Sequence, residues 1–188
     1  MMNRREALSR VAIIMGGSVI GAEAFLTGCK ASTKTVSFSK DDIAFLNEVA
    51  ETILPATNTP GAKEAKVGEF MAVMVNDCYE EDNQIIFMEG MKALQFKDAK
   101  AKIGKSFMEA SVEERHKLLV ALDAEAKEYK QHKTPEQPTH YFSMMKQLTL
   151  SGFFTSEVGA TKVLRYVQTP GRFDGSAPYV KGEKAWAI

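Results

Sequence analysis

After residue 39, apolar residues recur at intervals of three and four along most of the chain, the spacing of helices that bury one face. Ser39 followed by Asp42 reads as a capping-box start, and Ile43, Leu46, Val49, Ala50 and Ile53 mark one face of a first helix that stops before Pro55. Pro55 to Gly61 holds two prolines, Asn58 and a Pro-Gly pair, which leaves no room for regular structure and predicts a loop. Val67, Phe70, Met71, Met74, Val75 and Cys78 give a second helix with a strongly apolar face. Ile85, Ile86, Met88, Met91 and Leu94 suggest a third, broken near Gly90; the lysine-rich residues 97–105 close it or lie in a loop.

A second capping box, Ser111 with Glu114, opens a helix on Leu118, Leu119, Leu122 and Ala126 that runs to about Tyr129. Lys130–Thr139, with Pro135 and Pro138, is a polar loop. Tyr141–Phe154 carries Phe142, Met145, Leu148 and Phe153 at helical spacing, and Ser156–Val167 suggests a short further helix on Val158, Val163 and Tyr166. From Thr169 the chain becomes an irregular tail ending near Trp186. No stretch alternates convincingly with a period of two. The expected fold is therefore all-α: one compact domain of about five to seven helices over residues 39–188, with an irregular C-terminal tail and no solenoid repeat.

The first thirty residues have a different composition. Arg4, Arg5 and Arg10 precede the apolar stretch Val11–Ile20, which has signal-peptide length and is too short to span a bilayer comfortably. Half of the six arginines lie in residues 1–10. The competing reading, an amphipathic first helix of the domain, is weakened by Gly16, Gly17 and Gly21, which are poor in a helix interior. Arg4-Arg5 with Leu8 resembles a twin-arginine export signal, favoured over general secretion by the glycine-rich apolar region, although Asn3 and Glu6-Ala7 depart from its strongest form. Leu26-Thr27-Gly28-Cys29 resembles a lipobox, in which the small residues admit a peptidase and the Cys29 thiol takes the lipid; the alternative is a chance cysteine. Several acyl chains would hold the protein stably, since one alone is marginal. The expected division is thus a signal peptide over 1–28, a lipidated tether over 29–38, and the helical domain.

Composition narrows the chemistry. The 188 residues carry 24 basic and 24 acidic side chains, and neutrality argues against a strongly basic nucleic-acid footprint. Without residues 1–28 the chain keeps 21 basic and 22 acidic side chains, so the domain is near neutral. Two cysteines cannot build a disulfide framework, a four-cysteine zinc site or an iron–sulfur cluster. Cys78 is expected in the core of the second helix, with no neighbouring cation to activate it. The acidic run Asp77–Asp82 lacks the glycine-centred EF-hand form and reads as a solvated helix end. His116 has no second histidine or cysteine at metal spacing and reads as a solvated helix-face residue; His132 and His140 flank the proline-rich loop and look exposed. Met144 and Met145 read as core, with contact to a partner as the alternative. Phosphate-loop, dinucleotide-binding and Gly-x-Ser-x-Gly motifs are missing, so the chain shows no self-sufficient catalytic, cofactor-binding or metal-binding set.

Several segments together resemble one family. They are Phe45-Leu-Asn-Glu-Val-Ala-Glu-Thr-Ile-Leu-Pro55, Ala56-Thr-Asn-Thr-Pro-Gly-Ala62, Val67-Gly-Glu-Phe-Met71, Phe142-Ser-Met-Met-Lys-Gln-Leu-Thr149, Gly152-Phe-Phe-Thr-Ser-Glu157 and the turn at 170–175. Over roughly residues 40–180 the chain is similar to the gluconate 2-dehydrogenase subunit 3 family, the small subunits of periplasmic, membrane-associated sugar and sugar-acid dehydrogenases. The resemblance implies a non-catalytic accessory subunit that binds no cofactor itself. Its large partner would carry FAD, often beside a cytochrome c subunit, and would depend on the small subunit for export and maturation. The lipobox is not general in that family, so anchoring through Cys29 is a feature of this chain. Pro55, Pro60, Gly61, Phe153 and Phe154 are the expected partner-contact residues, because their unusual local chemistry has no evident interior purpose. Two other readings stand beside this one: a lipid-anchored binding or assembly module without an oxidoreductase partner, and an enzyme using His116 or His140 with a carboxylate.

Overall fold

The computed structural model of the protein describes residues 36–169, 171–172 and 175–187. Among them are six α-helices: α1 (Lys40–Ile53), α2 (Val67–Cys78), α3 (Glu81–Lys92), α4 (Ala99–Ile103), α5 (Val112–His132) and α6 (Tyr141–Thr155). Both capping boxes expected from sequence start their helices: Asp42 N–H donates to Ser39 Oγ at 3.1 Å, and Glu114 N–H to Ser111 Oγ at 3.3 Å. A third box, Ser106 with Glu109, frames a 3-10 turn, Phe107–Glu109.

The core is one cluster, and α6 is its hub. That helix packs against α1, α2, α3 and α5, which explains why it buries residues around most of its circumference, from Phe142 to Phe153. Met144 and Met145 are both inside, as the core reading of that pair expects. Thr149, fully buried, donates its hydroxyl to the Met145 carbonyl at 2.8 Å, so its polar atom costs nothing unpaired. Phe45 of α1 meets Phe107 edge to face at 5.2 Å between ring centroids, locking the 3-10 turn onto the core.

α2 begins without a cap of its own. Lys66 at its N-cap position sits in the left-handed region (φ 53°) and offers no side-chain acceptor. Asn47 of α1 supplies one instead, accepting from the Gly68 N–H at 2.9 Å while its amide donates to Glu69 at 3.0 Å.

Local expectations are corrected at five points. α3 is not broken at Gly90; the glycine lies inside the helix because a Cβ there would collide with the ring of Tyr141. Beyond Lys92 the helix widens into a π-helical segment, Ala93–Asp98, before α4, so residues 97–103 remain helical. The segment after α6 ends as a π-helical turn at Val163, and Tyr166 belongs instead to a short strand, β1 (Arg165–Tyr166), paired in parallel with β2 (Trp186–Ala187). Cys78 is exposed rather than core: it is the last residue of α2, where the chain turns toward α3. α5 also runs one turn past Tyr129, to His132.

Candidate interaction surface

The loop between α1 and α2 is held in one shape by a carboxylate. Glu51 points out of the last turns of α1, and its two oxygens accept from the backbone N–H groups of Ala56 and Lys63, each at 2.8 Å. The Ala62 N–H closes the base of the loop onto the Leu54 carbonyl at 3.0 Å. Gly61 is buried against this clamp, and a Cβ there would run into the Glu51 carboxylate and the Ala56 nitrogen. Pro55 is exposed, Pro60 is half-buried and Gly61 is inside. The loop therefore presents Pro55 on a backbone already fixed, which lowers the ordering cost of binding.

Beside the loop, one arginine ties three elements together. Arg115 of α5 donates through Nη1 to Glu48 of α1 at 2.8 Å, through Nε to the Phe107 carbonyl at 3.0 Å, and through Nη2 to the Met108 carbonyl at 2.8 Å. Its guanidinium also lies 5.3 Å from the Phe107 ring centroid. Glu48 pairs with Lys63 as well; hydrogen bonding from Lys63 and the charges of Lys63 and Arg115 hold its carboxyl below the ordinary range, against the opposing effect of burial.

Glu48, Glu51 and Arg115 line a cleft of about 600 Å³ whose walls also include Pro55, Ala56, Val112 and His116. His116 is exposed there, as read from sequence. His132 is exposed as well, but His140 is not: it is half-buried between Tyr129 and Tyr141, with ring centroids at 5.7 and 4.7 Å. Its Nδ1 accepts from the Phe142 N–H at 3.2 Å, capping α6, and burial lowers its pKa. Neighbouring Tyr141 donates to Asp98 at 2.9 Å, and burial, followed by the Asp98 carboxylate, pushes its phenol upward.

The other expected contact residues lie apart from this cleft. Phe153 is 3% exposed and packs in the core, whereas Phe154, edge to face with it at 5.2 Å, is 38% exposed. Of the five expected contact residues, Pro55 and Phe154 are thus exposed, Pro60 is half-buried, and Gly61 and Phe153 lie inside. Arg4, Arg5 and Cys29 lie outside the described residues. Sequence reasoning missed Glu51, Asn47 and Arg115; nothing local marks them, because each acts on backbone that only the fold brings near. Among the described residues, no three His, Cys, Asp or Glu side chains gather as a metal-binding group, and no helix is long and apolar enough to cross a membrane.

The described residues thus form a helical domain in which His140 caps a helix and His116 and His132 stand exposed. A family model, gluconate 2-dehydrogenase subunit 3, matches residues 40–171. The chain belongs to that family, as the resemblance of its loop and α6 segments implied. No curated protein and no solved structure matches it significantly.

Proposed function

We propose that this chain is the non-catalytic small subunit of a membrane-associated, flavin-dependent sugar or sugar-acid dehydrogenase, and that it exports, matures and anchors the FAD-bearing large subunit. The family match over 40–171 carries this reading. The leader with Arg4 and Arg5 would direct the folded complex through the twin-arginine route, and Cys29 would take the lipid that holds it on the periplasmic side of the membrane. FAD, and haem c where a cytochrome subunit is present, would reside in the partners, supplying the redox chemistry while this chain supplies placement. The clamped loop at Pro55 and the exposed Phe154 are the surfaces through which it would grip the large subunit.

Two measurements test this. Replacing Arg4 and Arg5 by lysine should leave the large subunit in the cytoplasm, and unimpaired export of an active flavoprotein would overturn the carrier role. Capture of the chain from detergent-solubilised membranes should bring down a yellow, FAD-containing protein; a complex without flavin would favour an assembly module unconnected to a dehydrogenase.

A further inference from the structure

We infer that a furrow along α5 is the seat of an extended partner segment that is apolar at one end and acidic at the other. The inference rests on the subunit reading and adds to it the chemistry of what is bound. Three depressions follow one another along this helix. The cleft at Pro55 shares Thr52 and His116 with a smaller hollow of about 180 Å³, and that hollow shares Asp123 and Lys146 with a groove of about 490 Å³ beside His140. Val112, His116, Val120, Asp123, Lys127 and Lys130 succeed each other at three and four residues, so one stripe of α5 forms the floor. From Val112 to Lys130 that stripe is about 27 Å long, room for about eight extended residues.

The two ends differ in character. Val112 at 69% exposure and Val120 at 54% are apolar side chains left open to water along the first two depressions. There Glu48 is paired with Lys63 and Arg115, Glu51 is held by the loop backbone, and Glu113 lies with Lys117 at the margin. The third is lined by four lysines, 127, 130, 133 and 146, against a single lining carboxylate, Asp123. Asp123 is already shared by Lys127 at 2.7 Å and Lys146 at 2.6 Å. Those two lysines, Lys127 first, hold its acid below the ordinary range. The Lys133 ammonium donates to the Gln137 carbonyl at 2.8 Å, and among the described residues neither it nor Lys130 forms an ion pair. Glu136, in the adjoining loop, is occupied by its own backbone and Thr134. Lysines at a helix C-terminus alone would merely complement its dipole. Here Lys146 comes from α6, so the positive charge converges from two helices on one groove in a near-neutral domain. Flexible ammonium groups spread along a groove suit several carboxylates in a row better than one small anion held by a fork.

The test uses the purified full chain alone, so its failure is separable from failure of the export and capture experiments. The probe is a fluorescein-labelled octapeptide with leucine and alanine in one half and glutamate in the other. Fluorescence anisotropy should show saturable binding that weakens with salt, about tenfold for Lys130→Glu with Lys133→Glu. Val120→Ser should weaken it severalfold, and Lys181→Glu on the tail should leave it unchanged. Circular dichroism of each variant keeps loss of binding distinct from loss of fold. Absence of saturable peptide binding, equal loss with Lys181→Glu, or full displacement by equimolar inorganic phosphate overturns the inference. So does lysine-dependent binding to phosphatidylglycerol vesicles without any binding to the peptide, which would make the groove a membrane-facing one.

Discussion

Asn47 of α1 caps the first turn of α2 by accepting from the Gly68 N–H at 2.9 Å, and it can do so because Gly68 has no side chain. A Cβ at Gly68 would lie 2.7 Å from the Ile43 carbonyl and 2.8 Å from the Asn47 amide carbon. The two helices therefore touch backbone to backbone where one supplies the other's missing cap.

Asn47→Ala is expected to lower unfolding stability by about 1 kcal/mol, the usual cost of a lost cap. Gly68→Ala should cost more, about 2–3 kcal/mol, since it separates the helices as well as displacing Asn47. Urea denaturation followed by circular dichroism measures both, and a Gly68→Ala protein as stable as the parent would contradict the close approach.

Glu51→Ala frees two backbone N–H groups that lie at the protein surface and can turn to water, so global stability should fall by less than about 1 kcal/mol. The loop itself should loosen, and tryptic cleavage after Lys63 should quicken about tenfold as local opening becomes easier. Limited proteolysis with mass spectrometry reads this, and the same variant should bind the large subunit more weakly.

For Arg115→Lys, a single ammonium cannot reproduce three donations to Glu48, Phe107 and Met108 or lie flat against the Phe107 ring. A loss of about 2 kcal/mol is expected by urea titration. Retained stability would mean that the charge on Glu48, rather than the fork, is what matters there.

His140 caps α6 with an unprotonated Nδ1, and burial lowers its pKa below the free imidazole value. Its contribution is therefore complete above the unfolded pKa of about 6.5 and is lost as the pH falls through the lower, folded value. His140→Asn keeps a cap acceptor without the titration, so its melting temperature should vary less between about pH 7 and pH 5 than the parent's. An unchanged pH profile would remove His140 from that role.

Helices with a complete local signature were legible in the sequence. Ser39 and Ser111 announce their own starts, and the apolar stripes of α1, α2, α5 and α6 face the core as their spacing requires. What escaped was decided elsewhere in the chain. Tyr166 follows helical spacing, yet Arg165–Tyr166 pairs with Trp186–Ala187, 21 residues later, where Arg165 also lies 4.1 Å from the Trp186 ring centroid. Gly90 looks like a break until Tyr141 is placed over it. Cys78 keeps the apolar rhythm of α2 but falls on its final residue, where it is exposed. The candidate surface was half legible: Pro55 follows from the loop, whereas the Glu51 clamp and the lysines converging from α5 and α6 needed the fold.

The position of α6 as hub has a consequence for the order of events during synthesis. A ribosome releases α1, α2 and α3 well before residues 141–155, so three apolar stripes emerge without the helix that covers them. Contacts between α1 and α6 span about a hundred residues, and such closures are slow relative to local helix formation. Until the last quarter of the chain arrives, the apolar faces of these helices therefore lack the partner that buries them.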